Sequence, residues 1–487
     1  MTLNVLFLAA EAEPFIKVGG LGDVAGALPE AINHATQPGS GLPEVDIRLV
    51  LPFHYAIKQR NFETQLIGEF KVPKVKGSEK CRVYLYNKGA IPVYLLDGDP
   101  IDDKSPVYSI DPILDGYKFV FFSLAALELP KFLDWRVDIL QANDWHTATS
   151  IYALTQKRFR KGHLKDTRTI HTLHNLPFMG FGVQQALTDY GLPPIDDPIL
   201  PEWARHAPLP MGLYTADRII AVSPHYAEEI MTPEFGCGLD DFLKTRRNII
   251  SGILNGLDTE KWNPKTDPNL TQNYNQQALA LRKRNKKALQ DQFGLEINPQ
   301  TPLLTIVSRM DPQKGIDIAL RGLQYCQDEN WQVIILGTGI PYVEEMALQL
   351  EADFPDRVRS VIKFDGKLAH KLYAGADIFM MPSRYEPCGL SQLISMRYGC
   401  VPIARATGGL ADTIRYAPRK PKDSTGILFT KPYPSSFANA LKRMCRFYRQ
   451  SDSWTQIQIN GMQSDFSWDQ SARKYVAVYQ ELLAESK

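Results

Sequence analysis

Short apolar runs separated by helical patterns recur along most of the chain. Val5 to Ala9, Ile47 to Leu51, Ile91 to Leu96, Ile139 to Gln141, Thr169 to Leu173 and Arg218 to Val222 have the length and composition of strands. The pattern restarts with Leu303 to Val307, Val333 to Leu336, Val361 to Phe364, Ile378 to Met381 and Val401 to Ala404. Such alternation predicts a parallel-sheet α/β protein built from two doubly wound halves.

Between the halves the texture changes. Residues 256–300 are rich in Asn, Gln, Lys and Pro, with Trp262-Asn263-Pro264 and Asp267-Pro268 as breakers. This predicts a boundary near residue 252 and an exposed helix from Ala278 to Gln292. Near the end, Ala472, Tyr475, Val476, Val478, Tyr479 and Leu482 recur at helical spacing within Trp468 to Leu483. No tandem repeat or low-complexity tract interrupts the pattern. Open α/β sheets bind ligands beyond the carboxyl ends of their strands. Two halves facing each other are therefore expected to hold a donor and an acceptor in a cleft whose closure excludes water.

The chain has 487 residues and a net charge of +1, so bulk electrostatics gives no reason to expect nucleic acid or an anionic membrane as partner. Six cysteines, at 81, 237, 326, 388, 400 and 445, form no CxxC pair. They read as free thiols of a reducing compartment. The apolar opening Met1 to Ala10 lacks a basic leader and is interrupted by Glu11 and Glu13, so it reads as a buried first strand of a cytosolic protein.

Candidate chemistry lies just after the strands. Lys17-Val18-Gly19-Gly20-Leu21-Gly22-Asp23-Val24 lets backbone approach a ligand at a helix start, with Lys17 adding a mobile positive charge. Its spacing matches neither GxGxxG nor a P-loop, and an ordinary tight turn has the same look. Ser308 to Gly315 sets Arg309 and Lys314 on either side of a turn, where both can converge on one anion. Pro382-Ser383-Arg384-Tyr385-Glu386-Pro387-Cys388-Gly389-Leu390-Ser391 follows an apolar run and opens a helix. Glu386 beside that electropositive end is expected to stay charged, either on sugar hydroxyls, near an oxocarbenium-like centre, or as a helix cap. Thr407-Gly408-Gly409-Leu410-Ala411-Asp412 is a second glycine turn, a source of backbone donors or simply a loop.

In the first half, Asn143-Asp144-Trp145-His146 and His171-Thr172-Leu173-His174-Asn175 follow strands. Asp144, His174 and Asn175 suit sugar hydroxyls, Trp145 offers a stacking face, and His146 reads as structural. No nucleophile is paired with these histidines, and their spacing makes no metal site.

Taken in order and over nearly the full length, these segments resemble the bacterial glycogen synthase and plant starch synthase family. Gly252-Ile253-Leu254-Asn255-Gly256-Leu257-Asp258 and Phe466-Ser467-Trp468 add to the match, and Lys17-Val18-Gly19-Gly20 with Glu386-Pro387-Cys388-Gly389-Leu390 is its specific pairing. The resemblance implies a GT-B fold: a Rossmann-like acceptor domain over 1–252, a donor domain over 253–465, and a segment 466–487 whose helix crosses back to the first domain. It implies a retaining hexosyltransferase that moves glucose from ADP-glucose to the non-reducing end of an α-1,4-glucan, without metal or pyridoxal phosphate. By that likeness Glu386, His174, Lys314, Arg309 and Asp144 would be catalytic. Arg309 and Lys314 would bind the donor diphosphate, with Lys17, Gly19 and Gly20 reaching it. Asp23, Asn175, Asn255, Cys388, Gly389, Leu390, Thr407 and Gly408 would complete the donor site, with Phe364 against the adenine. Retention would follow from same-face attack, the His174 carbonyl and Glu386 stabilising the cationic centre.

Two local departures bear on the acceptor: Pro177-Phe178-Met179-Gly180 replaces the family's aromatic-Gln-Gly, and Asp115-Gly116-Tyr117-Lys118-Phe119 replaces Asp-Asn followed by Arg-Phe. A phosphorylase-like reading would need a Schiff-base lysine beside a phosphate pocket, and no such motif is present. A non-catalytic glucan binder sits poorly with intact Lys17, Arg309, Lys314 and Glu386. The choice between ADP-glucose and UDP-glucose rests on the resemblance, and the sequence carries no reading of oligomeric state.

Overall fold

The computed structural model describes residues 2–101 and 104–485, and the chain divides into two compact units, Met1–Gly256 with Trp468–Lys487, and Leu257–Ser467. The divisions expected after residues 252 and 465 stand beside these observed ones. Residues 1, 102–103 and 486–487 of the expected segments lie outside the described residues.

In the first unit, β1 (Leu3–Leu8), β2 (Val45–Pro52), β3 (Gln65–Pro73), β4 (Ser78–Tyr86), β5 (Val93–Asp97), β6 (Ile139–Asn143), β7 (Arg168–Leu173), β8 (Arg218–Ala221) and β9 (Ile250–Gly252) make one sheet. Its order is β3-β4-β5-β2-β1-β6-β7-β8-β9, parallel from β5 to β9. Without the antiparallel β3–β4 edge and β9, this is the doubly wound order third-second-first-fourth-fifth-sixth. The winding reverses between β1 and β6, where every residue of β6 and the last four of β1 are buried.

In the second unit, β10 (Leu303–Val307), β11 (Gln332–Gly337), β12 (Val358–Ile362), β13 (Ile378–Met381), β14 (Val401–Arg405) and β15 (Ile427–Phe429) lie in the order β12-β11-β10-β13-β14-β15. All its pairings are parallel, and the same winding order recurs with its reversal between β10 and β13. Strand alternation builds two cores: Leu304 and Ile306 face one with Val333 and Ile335, while Leu303 faces the other with Ile334 and Leu336.

The helix Trp468–Ala484 packs its apolar stripe into the first unit's core, where Ala472, Tyr475, Val476 and Tyr479 are fully buried. The Tyr479 hydroxyl donates to Gln141 Oε1 at 2.5 Å, and Ser471 Oγ donates to the Leu254 carbonyl at 2.6 Å.

Several expectations need correction. The β3–β4 hairpin, absent from the strands read in the sequence, is mostly part-exposed, mixes charged with apolar positions and has a register shift between Leu66 and Gly68. The strand expected over Val361 to Phe364 is β12, which ends at Ile362. It lies at a sheet edge with only one fully buried residue, so burial does not mark its limits. The exposed helix expected over Ala278 to Gln292 is a 3-10 segment, Gln276–Leu281, followed by an α-helix, Arg282–Gln292. That helix buries Arg282, Asn285, Lys286, Leu289 and Gln290. Its polar composition hides a charged anchor: Lys286 and Arg282 reach the buried Asp377 at 2.7 and 3.5 Å, and both also donate to backbone carbonyls.

All six cysteines are free thiols, with only Cys237 exposed. Among the described residues no helix is long and apolar enough to cross a membrane.

Candidate functional site

The loops that leave the two winding reversals carry most of the residues singled out above. In the first unit the loop after β1 returns to the helix Gly20–Ala35, which opens at Gly20 within the glycine motif. Glu11 is buried in this loop and accepts the backbone N–H groups of Val18 and Gly19, the latter at 3.1 Å. The Gly19 amide expected for a ligand is thus already engaged, while a side chain on Gly20 would meet nothing within 4 Å. Lys17 is not a loose charge: its ammonium donates to Asp23 Oδ1 at 2.6 Å and lies 3.8 Å from Glu13. Its side chain is still 41% exposed, so a ligand can reach it.

After β6, Asp144 starts the next helix with a left-handed φ of 52°. Its buried carboxylate accepts the N–H of His174 at 2.7 Å and of Asn175 at 3.2 Å. Asp144 is thereby the clamp that joins the ends of β6 and β7. Burial raises its pKa to about 7 against the pull of those two bonds, with the charge of Glu11 adding to the rise. Burial has the opposite sign on the imidazoles. It lowers His54 and His171 to about 4, His174 to about 3, and His146 well below the ordinary range. At neutral pH these rings are uncharged hydrogen-bonding groups. His174 Nε2 pairs with Asn143 Oδ1 at 2.9 Å, and His171 Nε2 donates to the Asp144 carbonyl at 3.2 Å.

Asn175 Oδ1 and Asn255 Oδ1 are buried acceptors with no partner among the described residues, which suits them to hydroxyl donors. Trp145 is half-buried and packed on Phe119 and His146 at 5.1 and 4.4 Å, and a side chain on Gly180 would lie 2.6 Å from its ring. The stacking face expected of Trp145 is therefore engaged with protein. His146 is buried in the same cluster.

In the second unit, the turn after β10 is capped by Asp311, whose side chain accepts the Lys314 N–H at 3.1 Å. Gly315 follows at φ 60°, where a Cβ would sit 2.2 Å from the Pro382 carbonyl, so glycine is what allows this turn to lie against the loop after β13. The contact brings Lys314 to Glu386: its ammonium donates to both carboxylate oxygens, at 2.9 and 2.8 Å. Ser383 Oγ adds a bond of 3.0 Å, and Glu386 is only 4% exposed. Glu386 is therefore no helix cap; the next helix, Ser391–Arg397, begins beyond it. Arg309 is largely exposed and pairs with Asp311 at 2.9 Å. Arg309, Lys314, Ser308, Ser383 and Ser391 line one cavity of about 200 Å³.

The Thr407-Gly408-Gly409 turn lies directly on the Glu386 backbone. Gly409 N–H donates to the Glu386 carbonyl at 3.1 Å, and a Cβ on Gly408 would sit 2.0 Å from that oxygen. These glycines thus serve close packing, and the Gly409 donor is already used. Cys388 is buried, Leu390 is half-buried, and Gly389 adopts φ 75°. Phe364 stands apart, 91% exposed beyond β12.

Sequence reasoning missed two groups. Glu11 lies in the same loop as Lys17, but only its interruption of the apolar opening drew notice. Arg384 makes a paired contact with Asp317, both bonds at 2.8 Å, and anchors the loop that carries Glu386. Among the described residues no three His, Cys, Asp or Glu side chains are grouped to hold a metal ion.

Residues 4–245 match the family model described as starch synthase catalytic domain, and residues 288–457 match glycosyl transferases group 1. The chain is 37% identical to a glycogen synthase of Lactobacillus acidophilus, covering 99% of this chain and 100% of that one. It is 38% identical to a glycogen synthase of Thermotoga maritima, covering 99% of both. Its structure is similar to the catalytic domain of starch synthase IV from Arabidopsis thaliana bound to ADP and acarbose. That likeness has a TM-score of 0.86 at 29% identity and covers 99% of this chain and 100% of that one. The fold also resembles a sucrose-phosphate synthase from Thermosynechococcus elongatus, at TM-score 0.60 and 18% identity over 99% of this chain and 100% of that one.

Proposed function

Because the chain belongs to the glycogen and starch synthase family, a group of retaining glucosyltransferases with the GT-B fold that extend α-1,4-glucans, we propose that its donor is ADP-glucose and assign its groups the following roles. In the second unit Arg309 and Lys314 neutralise the donor diphosphate as it departs, and Glu386 fixes Lys314 and faces the sugar. In the first unit Lys17 adds positive charge toward the donor, and Asp23, Asp144, His174, Asn175 and Asn255 recognise sugar hydroxyls. Gly19, Gly20, Cys388, Gly389, Leu390, Thr407 and Gly408 shape the donor surface by backbone packing, with Phe364 against the base.

In the reaction the bond from the anomeric carbon to the diphosphate oxygen breaks as the acceptor 4-hydroxyl oxygen attacks from the same face. The hydroxyl proton passes to the departing phosphate oxygen. Positive charge that develops on the ring is met by the His174 carbonyl and Glu386. Stabilising the leaving group by preorganised Arg and Lys is worth most in a site shielded from water.

The observation that supports this reading is that Lys314, paired with the buried Glu386 carboxylate, lines one cavity together with Arg309. Incorporation of labelled glucose into glycogen, compared between ADP-glucose and UDP-glucose, tests it. Strong preference for ADP-glucose is expected, and preference for UDP-glucose overturns the donor assignment. The same reading makes the protein a cytosolic enzyme whose partners are the nucleotide sugar and the glucan.

A further inference from the structure

Glu11 is a carboxylate that is 1% exposed and bonded to no cationic side chain among the contacts described. Burying such a group is costly, so its partners indicate its purpose. They are the N–H groups of Val18 and Gly19 and the hydroxyl of Tyr108. Lys17, Val18, Gly19 and Gly20 are all exposed, so a buried anion is holding an exposed stretch of backbone. The glycines make room for it. A Cβ on Gly19 would come within 3.3 Å of Glu11 Oε1, and one on Gly22 within 3.2 Å of Oε2 and 3.1 Å of the Lys17 side chain. Lys17 itself is paired elsewhere, with Asp23, so Glu11 acts on the backbone of the loop and not on its ammonium.

We propose that Glu11 is a positioning residue for the transfer reaction, holding the Lys17–Gly20 backbone in the form that presents Lys17 and the Gly20 amide to the donor. This rests on the role given to Lys17 under the proposed function. Glutamine keeps the shape of Glu11 but turns one acceptor oxygen into a donor, which then confronts a backbone N–H. Phenylalanine at 108 removes the third hydrogen bond and leaves the two backbone ones.

Steady-state kinetics with ADP-glucose and glycogen on the full chain tests the proposal. Hydrogen bonds to a charged group set the scale, so Glu11→Gln is expected to worsen kcat/KM for the donor about ten- to hundredfold, with the glycogen KM unchanged. Tyr108→Phe is expected to move it in the same direction by less. In a Lys17→Ala background, Glu11→Gln is expected to cost less than about threefold, because groups acting through one element are not additive. Hydrogen exchange gives an independent readout: the Val18 and Gly19 amides should lose protection in Glu11→Gln while the helix Gly20–Ala35 keeps it. Equal penalties for Glu11→Gln with and without Lys17, or unchanged protection of the two amides, overturn the positioning role. A Lys17→Ala variant with wild-type donor kinetics instead sinks the reading of Lys17, a separate outcome.

Discussion

The two winding reversals have the same strand order and opposite chemistry. At β1/β6 the carboxylates of Glu11 and Asp144 accept backbone N–H groups, and the uncharged rings of buried His54, His146 and His171 and half-buried His174 stand beside the open acceptors of Asn175 and Asn255. At β10/β13 the groups are ions: half-buried Lys314 on the buried Glu386, the exposed Arg309 with Asp311, and Arg384 locked on Asp317. Identical topology supplies only the address. A surface rich in hydrogen-bond donors and acceptors suits hydroxyl groups, whereas a cluster of ions suits a diphosphate whose charge grows as it leaves. On the proposed function, the division of labour between the units lies in side chains that fold alone does not specify.

The largest effect should come from breaking the ionic reversal. Lys314→Ala and Glu386→Gln are each expected to lower kcat by about 10²–10³-fold while circular dichroism stays native. Lys314→Ala should also lower stability by about 3–5 kcal/mol, since it strands a buried carboxylate. Near-wild-type turnover in both variants would make the pair structural and remove the contrast.

Next comes the neutral reversal, read through pH. Burial raises the Asp144 carboxyl to about 7 in the folded chain against 3.8 for an ordinary aspartate. Its contribution to stability is therefore complete below about pH 4 and is lost as pH rises through 7. Asp144→Asn keeps an acceptor for His174 and Asn175 and tolerates the left-handed backbone. The variant should gain on wild type between pH 4 and 7 and stay ahead above that, by roughly 2–4 kcal/mol in urea unfolding. The histidines act in the other sense: their contribution is intact above about pH 6.5 and lost as pH falls through about 4. They are common to both proteins and cancel in the difference. A difference independent of pH would show that Asp144 is ionised throughout.

A smaller effect tests the packing beneath the ionic site. Gly408→Ala must displace the Glu386 carbonyl that lies 2.0 Å from the new Cβ, at a backbone φ of 43°. The expected cost is about 2 kcal/mol in stability, accompanied by lower turnover. The smallest change should follow Arg309→Ala. In its proposed role, exposed Arg309 meets the charge of the departing diphosphate, so its removal should lower kcat/KM for the donor about tenfold. Its loss should leave stability within about 0.5 kcal/mol.

Much of this arrangement was legible in the sequence because buried parallel strands announce themselves. Ile378–Met381 is apolar throughout and Leu303–Val307 is interrupted only by Thr305, and the motifs of interest follow such strands directly. What escaped was held by polar contacts between distant residues. The helix Arg282–Gln292 looks exposed until Asp377 is seen beneath it, and Glu11 looks like an interruption until its carboxylate is found on the Val18 and Gly19 amides. Neither contact leaves a period in the chain. The turn Thr407-Gly408-Gly409 reads in the sequence either as a source of backbone donors or as a simple loop, and the structure shows the Gly409 amide spent on the Glu386 carbonyl.

The helix Trp468–Ala484 has a consequence for biosynthesis. It supplies Tyr475, Val476 and Tyr479 to the core that covers the helix Gly20–Ala35, yet it is translated after the whole of Leu257–Ser467. The unit begun first on the ribosome is thus finished last, with apolar surface uncovered while its younger neighbour matures. Chaperone protection during synthesis should be needed most by the amino-terminal half, until that closing segment emerges.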